Sequence, residues 1–183
     1  VTSLSKAEAR EAVADLERAY PDAGKGFFVP WWGNIFVREE LKDMPRERTL
    51  SNRKYRMMVI EDMLEELTGE VLERSSLYRL MQRFKPDIVV DCVNSATAIA
   101  YQDIYQSSRR VLQEARMVRA SRKRKTDALL EVTEQLLCTL YVPQLIRHVQ
   151  LMYRSMQLAG TTIYVKIGTS GTGGMGLNIP YTH

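Results

Sequence analysis

The stretch KPDIVVDCVNSAT, residues 85–97, decides the fold reading. From Pro86 to Val93 it is a nearly continuous β-branched run without polar alternation, the pattern of a strand covered on both faces in a parallel sheet. Upstream, residues 55–83 carry helical periodicity, with a break expected near Gly69 or at Ser75 and Ser76, and Pro86 ends the region. Downstream, a long and mostly helical segment runs to about Leu140. A helix from Pro143 to Leu158 follows, with Pro143 suited to its first turn and Gly160 to its end. TTIYVKI, residues 161–167, then enters a second strand that opens into the glycine-rich GTSGTGGMG.

Toward the N-terminus the same alternation appears. Apolar or small residues at Ala9, Ala12, Val13, Leu16 and Ala19 recur at helical spacing, so residues 6–20 read as a helix capped by Ser5. Pro21, Asp22 and Gly24 stop it, GFFVPWW at 26–32 reads as a short apolar strand, and residues 34–44 as a further short helical stretch. Strands alternating with helices predict an α/β fold: a Rossmann-like parallel sheet with helices on both faces, one domain over residues 1–183, with long helical insertions at 38–76 and 103–140. In such a sheet ligands bind beyond the carboxyl ends of the strands, so the exits at 2–6, 32–35, 92–97 and 168–176 are the places to look for a site.

Composition narrows the classes. In 183 residues, 45% are hydrophobic and 26% charged, an ordinary globular balance, and no stretch approaches the roughly 20 apolar residues that span a bilayer. No membrane role is expected. The opening residues lack the pattern of a secretory signal, and Cys92 and Cys138 show no disulfide or metal-ligand spacing, which points to a cytoplasmic setting. With His148 and His183 the only histidines, no metal site is expected. The net charge of +4 is concentrated in Arg109, Arg110, Arg116, Arg119, Arg122, Lys123, Arg124 and Lys125, opposed by Glu114. A solvated helix face explains that block better than nucleic acid does, because no aromatic residues are interleaved with it for base stacking.

Four blocks at the strand exits resemble the extended short-chain dehydrogenase/reductases, the group that includes nucleotide-sugar epimerases and dehydratases. VTSLSKAEAR resembles the second strand and its exit, and WGNI the turn after the third. KPDIVVDCVNSAT resembles the fourth strand, YVKIGTSGTGGMG the fifth with its exit, and PYTH the segment that often follows. The resemblance implies a hydride-transfer enzyme acting on a hydroxyl or carbonyl of a small-molecule substrate, with NADP or NAD as cofactor and homo-oligomerisation expected. It implies cofactor contacts from Ser3, Ser5, Lys6, Asn34, Ile35, Cys92, Val93, Asn94 and Gly168. It puts Ser170 at the position of the family's catalytic hydroxyl, with Thr169 a near alternative.

No acidic residue stands at the ribose position, while Ser3, Ser5 and Lys6 offer donors at a helix start, so NADP is slightly favoured over NAD. The pattern departs from the family in three ways. No G-x-x-G-x-x-G turn is present, Tyr-x-x-x-Lys does not follow Tyr181, and Val93 and Asn94 replace the usual small residues. A fragment incomplete at both ends, lacking the N-terminal glycine-rich turn and the Tyr-x-x-x-Lys segment, is the expectation these gaps create. The alternative is a non-catalytic Rossmann-type binding or scaffolding protein whose helical insertions hold a partner.

Overall fold

A computed structural model describes residues 1–93, 99–120 and 126–167 of the chain. β1 (Thr2–Ser3) leads into α1 (Lys6–Ala19), which Ser5 caps: its hydroxyl accepts from the Glu8 amide at 3.3 Å, and the Glu8 carboxylate reaches back to the Ser5 N–H at 3.4 Å. β2 (Trp31–Trp32) pairs in parallel with β1, Thr2 beside Trp31 and Ser3 beside Trp32. Ala9 and Val13 are the buried residues of α1. A 3-10 turn at Glu39–Leu41 is followed by α2 (Arg46–Ser51), α3 (Arg53–Leu64), α4 (Gly69–Arg74) and α5 (Ser76–Phe84). The helical run expected near 55–83 thus breaks at both proposed points, because Thr68 and Ser75 are each side-chain N-caps for a new helix.

β3 (Ile88–Asp91) comes next, then α6 (Ile99–Ala120), α7 (Asp127–Leu137), α8 (Tyr141–Ala159) and β4 (Ile163–Lys166). Gly160 ends α8 at φ 78°, a left-handed conformation that costs other residues a steric penalty. β3 and β4 pair in parallel, with Ile88, Val89, Val90 and Asp91 beside Ile163, Tyr164, Val165 and Lys166.

These pairings correct the expected fold. Among the described residues the chain is mostly helical, and the strands form two separate two-stranded parallel ribbons rather than one Rossmann-like sheet with helices on both faces. Two physical reasons stand out. The aromatic run before β2 does not form a longer strand: pairing with the first ribbon stops at Val29, whose carbonyl accepts from the Val1 amine at 2.9 Å, and Gly24 and Gly26 before it adopt positive φ, outside the extended region. In addition, the β3 face that carries Ile88 and Val90 is uncovered, at 55% and 59% exposure, so the apolar run does not mark a strand buried on both sides. Helices occupy the segments between the strand exits because helix-forming residues at a 3.6-residue period dominate them.

The core sits where α5 crosses α8. Leu77 and Met81 pack with Leu151, Met152 and Leu72, and Ile35 and Val89 rest against that cluster from the two ribbons. Buried arginines tie the remaining helices. Arg56 bonds Glu134 of α7 at 2.9 and 3.1 Å and the Leu50 carbonyl at 2.7 Å, while Arg38 grips both oxygens of Asp62 at 2.7 and 2.8 Å. Arg147 of α8 donates to the carbonyls of Met63 and Glu65 at the end of α3, satisfying acceptors that a helix terminus leaves open. Because Leu77 is 2% exposed and at the centre of the core, Leu77→Ala should lower the free energy of unfolding by about 3 kcal/mol, read as a lower urea midpoint at unchanged slope.

Candidate functional site

Between the two ribbons lies a cleft of about 790 Å³. Four consecutive residues of the first ribbon, Val1 to Leu4, and six of the second, Ile88 to Val93, line it. Side chains on a strand alternate between faces, so an unbroken run along a wall means that the strand turns its edge, not a face, to the cleft. The hydrogen bonds agree. Trp31 and Gly33 donate to the carbonyls of Val1 and Ser3, which leaves the main-chain groups of Thr2 and Leu4 pointing the other way. Ile163 and Ile167 donate to Asp87 and Asp91, so Ile88, Val90 and Cys92 direct theirs toward the cleft. The floor is apolar, built from Leu77, Leu80, Met81 and Phe84 of α5 with Met152 of α8.

Ser3, Ile35, Cys92 and Val93 all line this cleft. They come from three separated stretches of sequence. The other expected cofactor contacts have local duties: Ser5 caps α1, the Lys6 ammonium lies 4.9 Å from the centre of the Trp32 ring, and the Asn34 Oδ1 accepts from the Phe36 amide at 2.9 Å. Asn34 also donates its amide to Lys42 and accepts the Ser76 hydroxyl, which anchors the loop after β2 to α5. Asn94, Gly168, Thr169 and Ser170 lie outside the described residues.

Glu8 alters the electrostatics at the first exit. Its carboxylate accepts from the Ser3 hydroxyl at 2.6 Å as well as from the Ser5 amide, and these hydrogen bonds hold its pKa below the ordinary carboxylate value. The start of α1 therefore already has an anion at it. The groups expected to receive a 2′-phosphate are engaged by the protein itself: the Ser3 hydroxyl donates to Glu8, the Ser5 hydroxyl accepts from the Glu8 amide, and the Lys6 ammonium lies over Trp32.

At the second exit, sequence reasoning missed a polar knot. Asp91 is 6% exposed, and burial would raise its pKa, but hydrogen bonds from the Tyr164 hydroxyl at 2.7 Å and the Val93 amide at 2.9 Å, with the Lys166 ammonium at 3.0 Å, outweigh burial and hold it low. Burial, together with its bond to Asp91, pushes Tyr164 up to about 12. The available signal was a lone carboxylate inside an apolar strand, a residue that stays buried only when paired. Nearby, His148 is buried against the Phe36 ring, 4.6 Å between centres, and burial lowers its pKa below the ordinary histidine value, with Asp91 opposing that shift.

No group of His, Cys, Asp or Glu suited to a metal occurs among the described residues, and no described helix is long and apolar enough to cross a membrane. Comparison with known proteins gives no matching family model, no matching curated protein and no matching solved structure.

Two outcomes test this geometry. His148 and Asp91 both have depressed pKa values in the folded chain, so each stabilises it above its unfolded-state pKa and loses that contribution as pH falls. The urea midpoint should drop first below about pH 6.5 and again below about pH 4, the unfolded-state values of the two groups. Asp91→Asn should shrink the lower step, leaving the part due to Glu8, and cost about 2 kcal/mol at neutral pH, since it leaves the hydroxyl of Tyr164 and the half-exposed ammonium of Lys166 without their carboxylate. A maleimide should label exposed Cys92 in the native chain and reach Cys138 only on unfolding, because burial hides that thiol and raises its pKa to about 11.

Proposed function

We propose that the part of the cleft at the strand exits is the cofactor site of an NAD(P)-dependent oxidoreductase or epimerase/dehydratase of the short-chain type, which moves hydride to or from a hydroxyl or carbonyl carbon of a small-molecule substrate. The observation that carries this reading is the meeting of Ser3, Ile35, Cys92 and Val93 on one cleft, although they come from exits far apart in the sequence. A volume of about 790 Å³ lies within the range of roughly 300 to 1,000 Å³ usual for small-molecule sites.

The residues present fit the nucleoside parts of the cofactor. Trp31, Val29 and Ile35 offer apolar surface to a flat ring. No lysine or arginine is among the described lining residues. When bound, the nicotinamide would supply the hydride donor or acceptor. By the family resemblance, the hydroxyl of Ser170, with Thr169 its alternative, would hydrogen-bond the substrate oxygen and hold it in position.

The Glu8 carboxylate shifts the cofactor preference from NADP to NAD. A carboxylate fixed against Ser3 and the Ser5 amide repels a 2′-phosphate and can accept a bond from a ribose hydroxyl. Equilibrium titration with NADH and with NADPH, following nicotinamide fluorescence, tests the proposal. NADH should bind more tightly, and Glu8→Gln should narrow the difference about ten-fold, roughly the effect of one charge contact. Failure of both dinucleotides to bind would end the cofactor reading.

A further inference from the structure

We infer that the cleft is a seat for one more β-strand: an extended, apolar segment of a partner polypeptide, laid between the edges of β1 and β3. The inference goes beyond the cofactor reading and stands without it. It rests on main-chain groups along the two edges, whereas the cofactor reading rests on side chains at their exits.

Three observations select a strand over other occupants. First, both walls are bare strand edges. Thr2 and Leu4 on one side, and Ile88, Val90 and Cys92 on the other, turn N–H and C=O groups toward the same space. A row of unpaired donors and acceptors at strand spacing is completed by another backbone, and two facing rows can be completed by the same backbone.

Second, the floor beneath that space is apolar and belongs to the core. Leu77 and Met81 of α5 and Met152 of α8 are buried members of the central cluster, and they also line the cleft. Alternate side chains of the seated segment would pack on them. Third, the opposite side is apolar too. Leu4 is 70% exposed, and Val90 and Ile88 present the uncovered face of β3. The occupant therefore needs apolar side chains on both faces, a continuous β-branched run like that of β3 itself rather than an alternating one.

Each ribbon alone has two strands, which is marginal for a sheet in water. A seated strand would pair with both edges at once and bury the exposed rim formed by Leu4, Phe27, Val29 and Phe84. Charge plays little part, since Asp91, the charged residue among the described lining, is already held by Tyr164 and Lys166.

A labelled synthetic peptide with a Val-Val-Ile-Val centre and lysines at both ends is the probe. It should bind the whole chain and slow hydrogen exchange at the amides of Thr2, Leu4, Ile88, Val90 and Cys92. The same peptide N-methylated at alternate centre residues should bind about ten-fold more weakly, the loss of two net hydrogen bonds. Val90→Pro removes a cleft-facing donor without touching the bonds to β4, and should weaken the unmodified peptide by a similar factor. Equal affinity for the two peptides would overturn the inference, as would no binding up to the solubility of the probe. Protection of the same amides by concentration-dependent dimerisation without peptide would overturn it in favour of a second copy of the chain. Dinucleotide titration of the same sample reads the cofactor proposal separately, so either can fail alone.

Discussion

The packing of α5 on α8 is the contact on which the other features of this chain depend. Leu77, Met81, Leu151 and Met152 form a small apolar centre, and each ribbon leans on it through one residue, Ile35 after β2 and Val89 in β3. The two ribbons make no strand-to-strand pairing with each other. Their separation, and hence the cleft, is set by how side chains from the helices fill the space beneath them. A substitution in that centre would therefore act on the site as well as on stability, because the floor of the cleft and the heart of the core are partly the same residues.

The polar fastenings follow a consistent logic. Arg38, Arg56 and Arg147 are buried, and each is bonded to a carboxylate or to carbonyls near a helix end. A guanidinium with five donors can satisfy several acceptors at once, which is why arginine rather than lysine serves at these junctions. Asp91 is the mirror case, a buried carboxylate surrounded by three donors from the β4 side and from its own strand exit. It pins β3 to β4 just where the strand opens onto the cleft. That bond network gives the second exit a defined shape, as Glu8 does for the first.

The resemblance drawn from the strand exits and the observed fold bear differently on function. The exits that were expected to share a crevice do in part meet: those of β1 and β3 both line the cleft, together with Ile35. The continuous sheet that was to carry them is not formed. A cofactor and an inserted strand ask different things of the same cleft, side-chain and ring contacts in one case and two rows of main-chain bonds in the other. The apolar walls would serve either occupant, whereas the open backbone groups favour the strand.

Local signals were legible in the sequence wherever they depended on neighbours along the chain. Ser5 with Glu8 three residues on marks the start of α1, Gly160 marks the end of α8, and the β-branched runs mark β3 and β4. These follow from backbone geometry and hydrogen bonds within a few residues. What only the tertiary structure decided is how the ribbons stand to one another, that Val90 faces outward although its run looks fully buried, and that Asp91 collects Tyr164 and Lys166 from more than seventy residues away. A strand's sequence states that it needs a partner on each edge and cover on each face. Which edges and faces receive them is settled by packing between distant segments, and periodicity along the chain carries no information about that.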